Sequence, residues 1–367
     1  MKIVIISASV YPSLTPRAQR TTNLAEEFAR KGHDVTVYAI LGHYNYEEYS
    51  RLKNVRVINL SERVIGYPNS DGIVTINLYS RIINALFGKW FWLPDRRIIP
   101  WVKKAIKREG NINLLITIAV PHVLHYATSL SDLSKIDKWI ADCGDPFTLN
   151  PYTKDKMPGY LVSYEKRWCR KCDFITVPTE ESKNGYYPEF RNKIQVIPQG
   201  YNFAEITLRA YKKHDIPTFA YAGAVYKGLR DPEMFLDYLV RSKRQFHLTV
   251  FGPAWAVFSK YVDKVEGAIV NGGFLPRKQL IPKLGEMDFL INIKNNSGVQ
   301  QPSKLIDYGL SKRPIVTISS DFDKTDQDNF ESFCNGDYSG QTLIPDINSY
   351  DIDTVSNQFL GLVYNCE

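Results

Sequence analysis

The residues best placed for chemistry lie in the segment Asn295-Asn-Ser-Gly-Val-Gln-Gln-Pro-Ser-Lys-Leu-Ile-Asp-Tyr-Gly. An apolar run ends before it, a polar loop follows, and Pro302-Ser303 opens a helix with Lys304 in its first turn. A cation opposes the helix dipole at that end. Its presence makes sense where an anion is held by backbone N–H groups, the Ser303 hydroxyl and the Lys304 ammonium together. Asp307 lies near the same face and has the acceptors a sugar diol needs. Taken by itself the couple is equally an exposed Lys–Asp pair, worth roughly 0.2–0.5 kcal/mol.

A second basic loop is built the same way. In Ala220-Tyr-Ala-Gly-Ala-Val-Tyr-Lys-Gly-Leu-Arg-Asp-Pro a strand ends at Gly223, and Lys227 and Arg230 follow before Asp231-Pro232 starts a helix. Gly223 lets a ligand approach the backbone closely. Arg230 carries the planar fork that suits phosphate. Two basic strand-to-helix loops in one half of the chain point to a diphosphate site. The other half offers candidates for proton transfer and hydroxyl binding. His122 and His125 follow a strand in Val120-Pro-His-Val-Leu-His-Tyr, where an acid or base would stand. Asp142 and Asp145, in Trp139-Ile-Ala-Asp-Cys-Gly-Asp-Pro, follow another and could bind sugar hydroxyls, or Asp145 could cap a turn.

Other chemistries lose their support. The chain has no Walker loop, GxGxxG, GxSxG or HExxH. Asp351-Ile-Asp353 reads as a helix cap, so no metal is called for. Cys169-Arg-Lys-Cys172 has no second Cys/His pair, and its spacing fits one face of a helix: two small half-buried thiols. Five cysteines are odd and thinly spread, which argues against a disulfide framework.

These loops need elements to hold them. Lys2–Ala8 is a β-branched run, Thr22–Lys31 has helical spacing, Gly32 caps it, and Asp34–Ile40 is β-rich again. That is a βαβ unit, which implies a parallel sheet covered by helices. Alternation continues through Val55–Leu60, a basic amphipathic helix at Ile98–Arg108, and strands at Leu114–Ala119, Lys138–Ala141, Phe174–Val177 and Ile194–Ile197. It resumes after Gln199-Gly200 with strands at Thr218–Ala222, Phe246–Phe251, Ala268–Asn271, Phe289–Ile293 and Ile315–Ile318. The reading is an α/β chain of two doubly wound, Rossmann-like domains facing across a cleft. They span 1–199 and 200–350, with 351–367 packing back on the first domain.

With 367 residues, two domains are expected; 44% hydrophobic and 23% charged residues are ordinary globular values. No apolar run reaches the roughly 18 residues of a membrane span, so a cytoplasmic protein is expected. The net charge of +7 is mild for nucleic acid, and no nucleic-acid module is visible. The stretch 87–108 sets Phe87, Trp90, Trp92 and Trp101 among many cations, the pattern of a surface dipping into an anionic membrane at its inner face; aromatics in the core with solvated Lys and Arg fit equally.

The pieces, in order, resemble the GT-B glycosyltransferases of the family-4 type. The likeness is carried by Pro16-Arg-Ala-Gln-Arg and Leu24-Ala-Glu-Glu-Phe-Ala-Arg-Lys-Gly-His-Asp-Val-Thr-Val, by Trp139–Pro146, and by Cys172-Asp-Phe-Ile-Thr-Val-Pro-Thr-Glu. Ile194-Gln-Val-Ile-Pro-Gln-Gly-Tyr-Asn, Tyr221-Ala-Gly-Ala-Val-Tyr and Pro302-Ser-Lys-Leu-Ile-Asp-Tyr-Gly complete it. The resemblance implies transfer of a sugar from a nucleotide-sugar donor, with retention and without a metal or other cofactor. The acceptor it implies is a saccharide or lipid-linked sugar of a surface polysaccharide or glycolipid. It puts Arg230 or Lys227 and Lys304 on the donor diphosphate, beside Gly223 and Ser303, and Asp307 on the ribose. It leaves His122, His125 and Asp145 as catalytic candidates and Arg17 and Asp142 for the acceptor. Val299 stands where the family keeps a Glu. A nucleotide-sugar 2-epimerase and a non-catalytic partner protein share the architecture.

Overall fold

The computed structural model describes residues 1–61, 69–71, 78–92, 95–150, 157–228, 230–294, 304–344 and 346–364. They form two compact units: Met1–Tyr201 with Ser349–Glu367, and Asn202–Asn348.

The first unit is built on β1 (Lys2–Ile6), β2 (Asp34–Ala39), β3 (Val55–Asn59), β4 (Ile112–Ala119), β5 (Ile136–Cys143), β6 (Phe174–Val177) and β7 (Ile194–Val196). Their order is β3-β2-β1-β4-β5-β6-β7 and every pairing is parallel. The inner strands are apolar along both faces because helices cover both. Ile3 and Ile5 face a cluster with Leu24, Phe28, Val37 and Ile116, whereas Val4 and Ile6 face one with Leu115, Trp139 and Trp168.

The helix after β1 runs over Pro16–Arg30 and starts six residues before the apolar spacing predicts. Pro16 is no breaker there. It sits in the first turn, where its missing N–H costs nothing, and the Thr15 hydroxyl accepts from Ala18 N at 3.4 Å. The earlier start brings Arg17 and Arg20 onto the helix and turns them toward β5. The chain returns to this unit at its end. Helix Ile352–Tyr364 lays Phe359 edge-on to Phe28, with ring centroids 6.5 Å apart, and Lys31 Nζ meets Asp353 at 2.7 Å.

The second unit holds β8 (Thr218–Ala222), β9 (His247–Phe251), β10 (Ala268–Gly273), β11 (Phe289–Ile293) and β12 (Ile315–Ile318). Their order is β10-β9-β8-β11-β12, again all parallel. An aromatic core of Phe219, Phe235, Phe246, Phe289 and Phe330 fills one face, with Phe219 stacked on Phe289 at 4.8 Å. In both sheets the winding reverses once: between β1 and β4, and between β8 and β11. Ligands of open α/β sheets gather at the carboxyl ends of strands flanking such a reversal.

Candidate functional site

In the second unit the reversal brings Gly223, just past β8, beside Lys304, the first residue of helix Lys304–Leu310. A Cβ on Gly223 would stand 3.8 Å from Lys304 Cδ, and its φ of +121° suits glycine alone. The Lys304 side chain lies over two fixed rings. Its Nζ is 4.3 Å from the centroid of Tyr221 and 5.9 Å from that of Tyr308. Tyr221 donates to Ala224 O at 2.8 Å, and the Tyr308 hydroxyl accepts from Ala222 N at 2.8 Å while donating to Ile291 O at 3.1 Å. Both rings are fully buried.

Lys304 itself is only 8% exposed, and among the described residues nothing accepts a hydrogen bond from its ammonium. Burial, with the Arg230 charge added, drives its pKa well below the usual lysine value. The magnitudes decide what this means. A desolvated ammonium over a ring recovers about 2 kcal/mol, while its desolvation costs several kcal/mol. Two tyrosine faces therefore do not balance a charge on Lys304. The cation acting on it is Arg230. The loop bearing Arg230 is pinned by Tyr226 and Arg230 exchanging main-chain bonds at 3.1 and 2.8 Å, with Arg230 Nη1 donating to Ala224 O at 3.3 Å. Lys227, at the tip, is exposed. Asp307 is half-buried and forms an ion pair with Arg277, from helix Arg277–Leu284. So a carboxylate expected to meet a ribose diol already has a guanidinium partner. Ser303 and Val299 lie outside the described residues.

The first unit departs further from expectation. Asp142, expected to offer acceptors to a sugar, is 2% exposed and clasped. Arg20 donates through Nε at 3.2 Å and Nη2 at 2.9 Å, Arg17 through Nη1 at 3.4 Å, and Thr176 Oγ1 at 2.7 Å. Burial pushes its carboxyl up, but the Arg20 and Arg17 charges outweigh that and hold it below the usual carboxylate value. Asp142 is thus a structural anchor, not a hydroxyl ligand. Arg17 keeps an outlet: its guanidinium also reaches Gln199 Oε1 at 3.1 Å, and a Cβ on Gly144 would press on it at 2.7 Å.

The histidines are corrected as well. His125 is wholly buried, with Nδ1 2.6 Å from Thr117 Oγ1, Nε2 3.4 Å from Cys143 Sγ, and its ring 4.8 Å from Trp168. It is a core residue, enclosed by protein side chains on both ring nitrogens. His122 is 6% exposed, stacks on Phe147 at 4.6 Å, and donates from Nε2 to the Asp145 carbonyl at 3.1 Å. Burial pushes its pKa down to about 4, so it is neutral at physiological pH. The Asp145 side chain is exposed, and its main chain serves as that acceptor. Cys169 and Cys172 are buried rather than half-buried, and burial lifts the Cys172 thiol to about 12, far from a reactive thiolate. Among the described residues no three His, Cys, Asp or Glu side chains gather as metal ligands.

Comparison with solved structures then decides the architecture. A glycosyltransferase from Rickettsia africae ESF-5 matches over 99% of this chain and 98% of its own, at TM-score 0.62 and 11% identity. HepE of Anabaena, solved in complex with UDP and glucose, matches over 100% of both chains at TM-score 0.60 and 9% identity. The lipopolysaccharide outer core galactosyltransferase WaaB matches over 100% of this chain and 99% of its own, at TM-score 0.58 and 12% identity. The chain has a GT-B glycosyltransferase fold. No protein-family model and no curated sequence matches it. Within the GT-B fold, Arg20, Arg277, Tyr221 and Tyr308 are the residues that the sequence reading does not single out. Each acts through a partner distant in the chain. The one local signal was that Tyr221 and Tyr308 stand in the two motif segments, each within two residues of a glycine.

Proposed function

We propose that this chain is a glycosyltransferase that takes a sugar from a nucleoside-diphosphate sugar. We assign its acceptor to the saccharides or lipid-linked sugars of a surface polysaccharide or glycolipid. The observation carrying the reading is the buried Lys304 ammonium at the reversal of the second sheet, beside Gly223 and near Arg230, with no partner among the described residues. Transfer breaks the bond between the anomeric carbon and the donor phosphate oxygen, so negative charge builds on a departing diphosphate. Cations fixed in a dry setting stabilise that charge without reorganising. At about 1.5–3 kcal/mol for each charged hydrogen bond, two cations supply roughly 3–6 kcal/mol. Realised only in the transition state, that is about 10²- to 10⁴-fold in rate.

The acceptor hydroxyl must lose its proton as it attacks. His125 is enclosed and His122 is bound to a carbonyl, which favours the departing phosphate oxygen as the proton's destination. That oxygen lies on the face the sugar leaves, so the configuration is retained. The HepE complex makes UDP the first nucleotide to try.

The test is a thermal-shift screen over UDP-, GDP-, dTDP- and CMP-sugars, followed by turnover with and without acceptor in EDTA. Wild type should show one donor hit and acceptor-dependent release of nucleoside diphosphate. Lys304→Met should lose the shift and at least 100-fold in turnover while still folding. Unaltered turnover in Lys304→Met overturns the diphosphate assignment. Donor conversion without acceptor points instead to epimerisation, and a donor shift without any turnover to a binding protein.

A further inference from the structure

The helix Leu78–Phe91 leaves its large apolar side chains in the open. Leu78 is 74% exposed, Ile82 50%, Leu86 62% and Trp90 70%. Spaced by four, they stand on one side of the helix, and Phe87 and Phe91, about half exposed, widen the stripe. Soluble surfaces rarely carry so much contiguous apolar area without a partner.

The charge that follows the stripe along the chain identifies the partner. From Leu78 to Arg108 the sequence holds eight Lys and Arg against one Asp, a net +7. The chain as a whole is also +7, so the remaining residues together sum to zero. On the next helix, Ile99–Glu109, Val102, Ala105 and Ile106 are buried while Lys103, Lys104, Lys107 and Arg108 are exposed. A second copy of this chain would set +7 against +7 on such a face. A protein partner would have to supply an acidic rim around an apolar core. A bilayer containing anionic lipid supplies both properties at once, hydrocarbon at the acyl boundary and phosphate above it.

We infer that the face formed by Leu78–Phe91 and the cations that follow docks on an anionic lipid surface. The apolar stripe enters the boundary between headgroups and acyl chains, and the lysines of Ile99–Glu109 lie over lipid phosphates. This inference is independent of what Lys304 binds.

The full chain should co-sediment with vesicles of equal parts phosphatidylcholine and phosphatidylglycerol, and far less with phosphatidylcholine alone. Replacing Lys103, Lys104 and Lys107 by Gln should weaken binding about fivefold for each lysine removed. The double variant Leu86→Glu/Trp90→Glu should abolish it with thermal unfolding unaltered, because both side chains are exposed in the free protein. Salt should weaken the wild type steeply. Equal sedimentation of Leu86→Glu/Trp90→Glu and wild type overturns the inference, as does equal binding to both vesicle types. A concentration-dependent dimer that this variant dissociates, without vesicle binding by the wild type, overturns it too and assigns the face to a second copy.

Discussion

Lys304 sits where the free protein disfavours a charge on its side chain. Its pKa lies well below the ordinary value of 10.5 because burial and Arg230 both oppose protonation. The unfolded chain therefore holds a proton that the folded chain gives up, so this group adds stability as pH rises toward 10.5. On the proposed function, a diphosphate bound there reverses the balance and draws the proton back. Calorimetry of UDP binding at pH 8, in two buffers of different ionisation heat, should show up to one proton taken up per nucleotide. Lys304→Met should show none, and should melt no lower than wild type in the absence of nucleotide. Proton exchange equal in wild type and Lys304→Met at every pH from 7 to 10 would mean that Lys304 does not meet the phosphates. At this scale the sequence was informative about position and poor about partnership. Gly223, Arg230 and Lys304 were legible because loops after apolar runs are where α/β sheets hold ligands. The enclosure of His125 was not, because Thr117, Cys143 and Trp168 reach it from two neighbouring strands and a helix. The clasp on Asp142 joins residues more than a hundred positions apart, which no local spacing records.

Among the elements, the parallel strands were the most readable feature, since burial on both faces demands unbroken apolar runs. Helix ends were less so: the Pro16 start depends on Thr15 and on a first turn with no N–H to lose. The return of the final segment to the first unit was expected for 351–367; its contact with Gly200 was not. A Cβ there would fall 2.6 Å from Ile352 Cδ1 and 3.1 Å from Val355 Cγ1. Gly200→Ala must therefore displace the Ile352 and Val355 side chains from their packing. A loss of about 1–3 kcal/mol is expected in urea denaturation of the first unit. An unchanged midpoint would show that the helix shifts freely.

For the whole molecule, the first unit is discontinuous in sequence. Ile352, Val355, Phe359 and Leu360 are buried against β1 and the Pro16–Arg30 helix, and Arg20 lies 5.0 Å from the Phe359 ring. Each large side chain lost from such a core removes about 1.5–3 kcal/mol of burial. Ending the chain at Asn348 should therefore lower the melting temperature of the first unit sharply. The melting of the second unit should stay as it was, because all its strands lie before that point. Two resolved transitions in calorimetry, with only one displaced, are the expected record.

The returning helix also sets an order of events on the ribosome. Residues Met1–Tyr201 emerge early, yet one of their two cores lacks its last helix until Asn202–Asn348 has been translated. During that interval Leu24 and Phe28 lack the cover that Phe359 later gives. A nascent chain in that state is a natural client for a holding chaperone, and translation that stops short yields a product with greasy flanks, ready for a protease to remove.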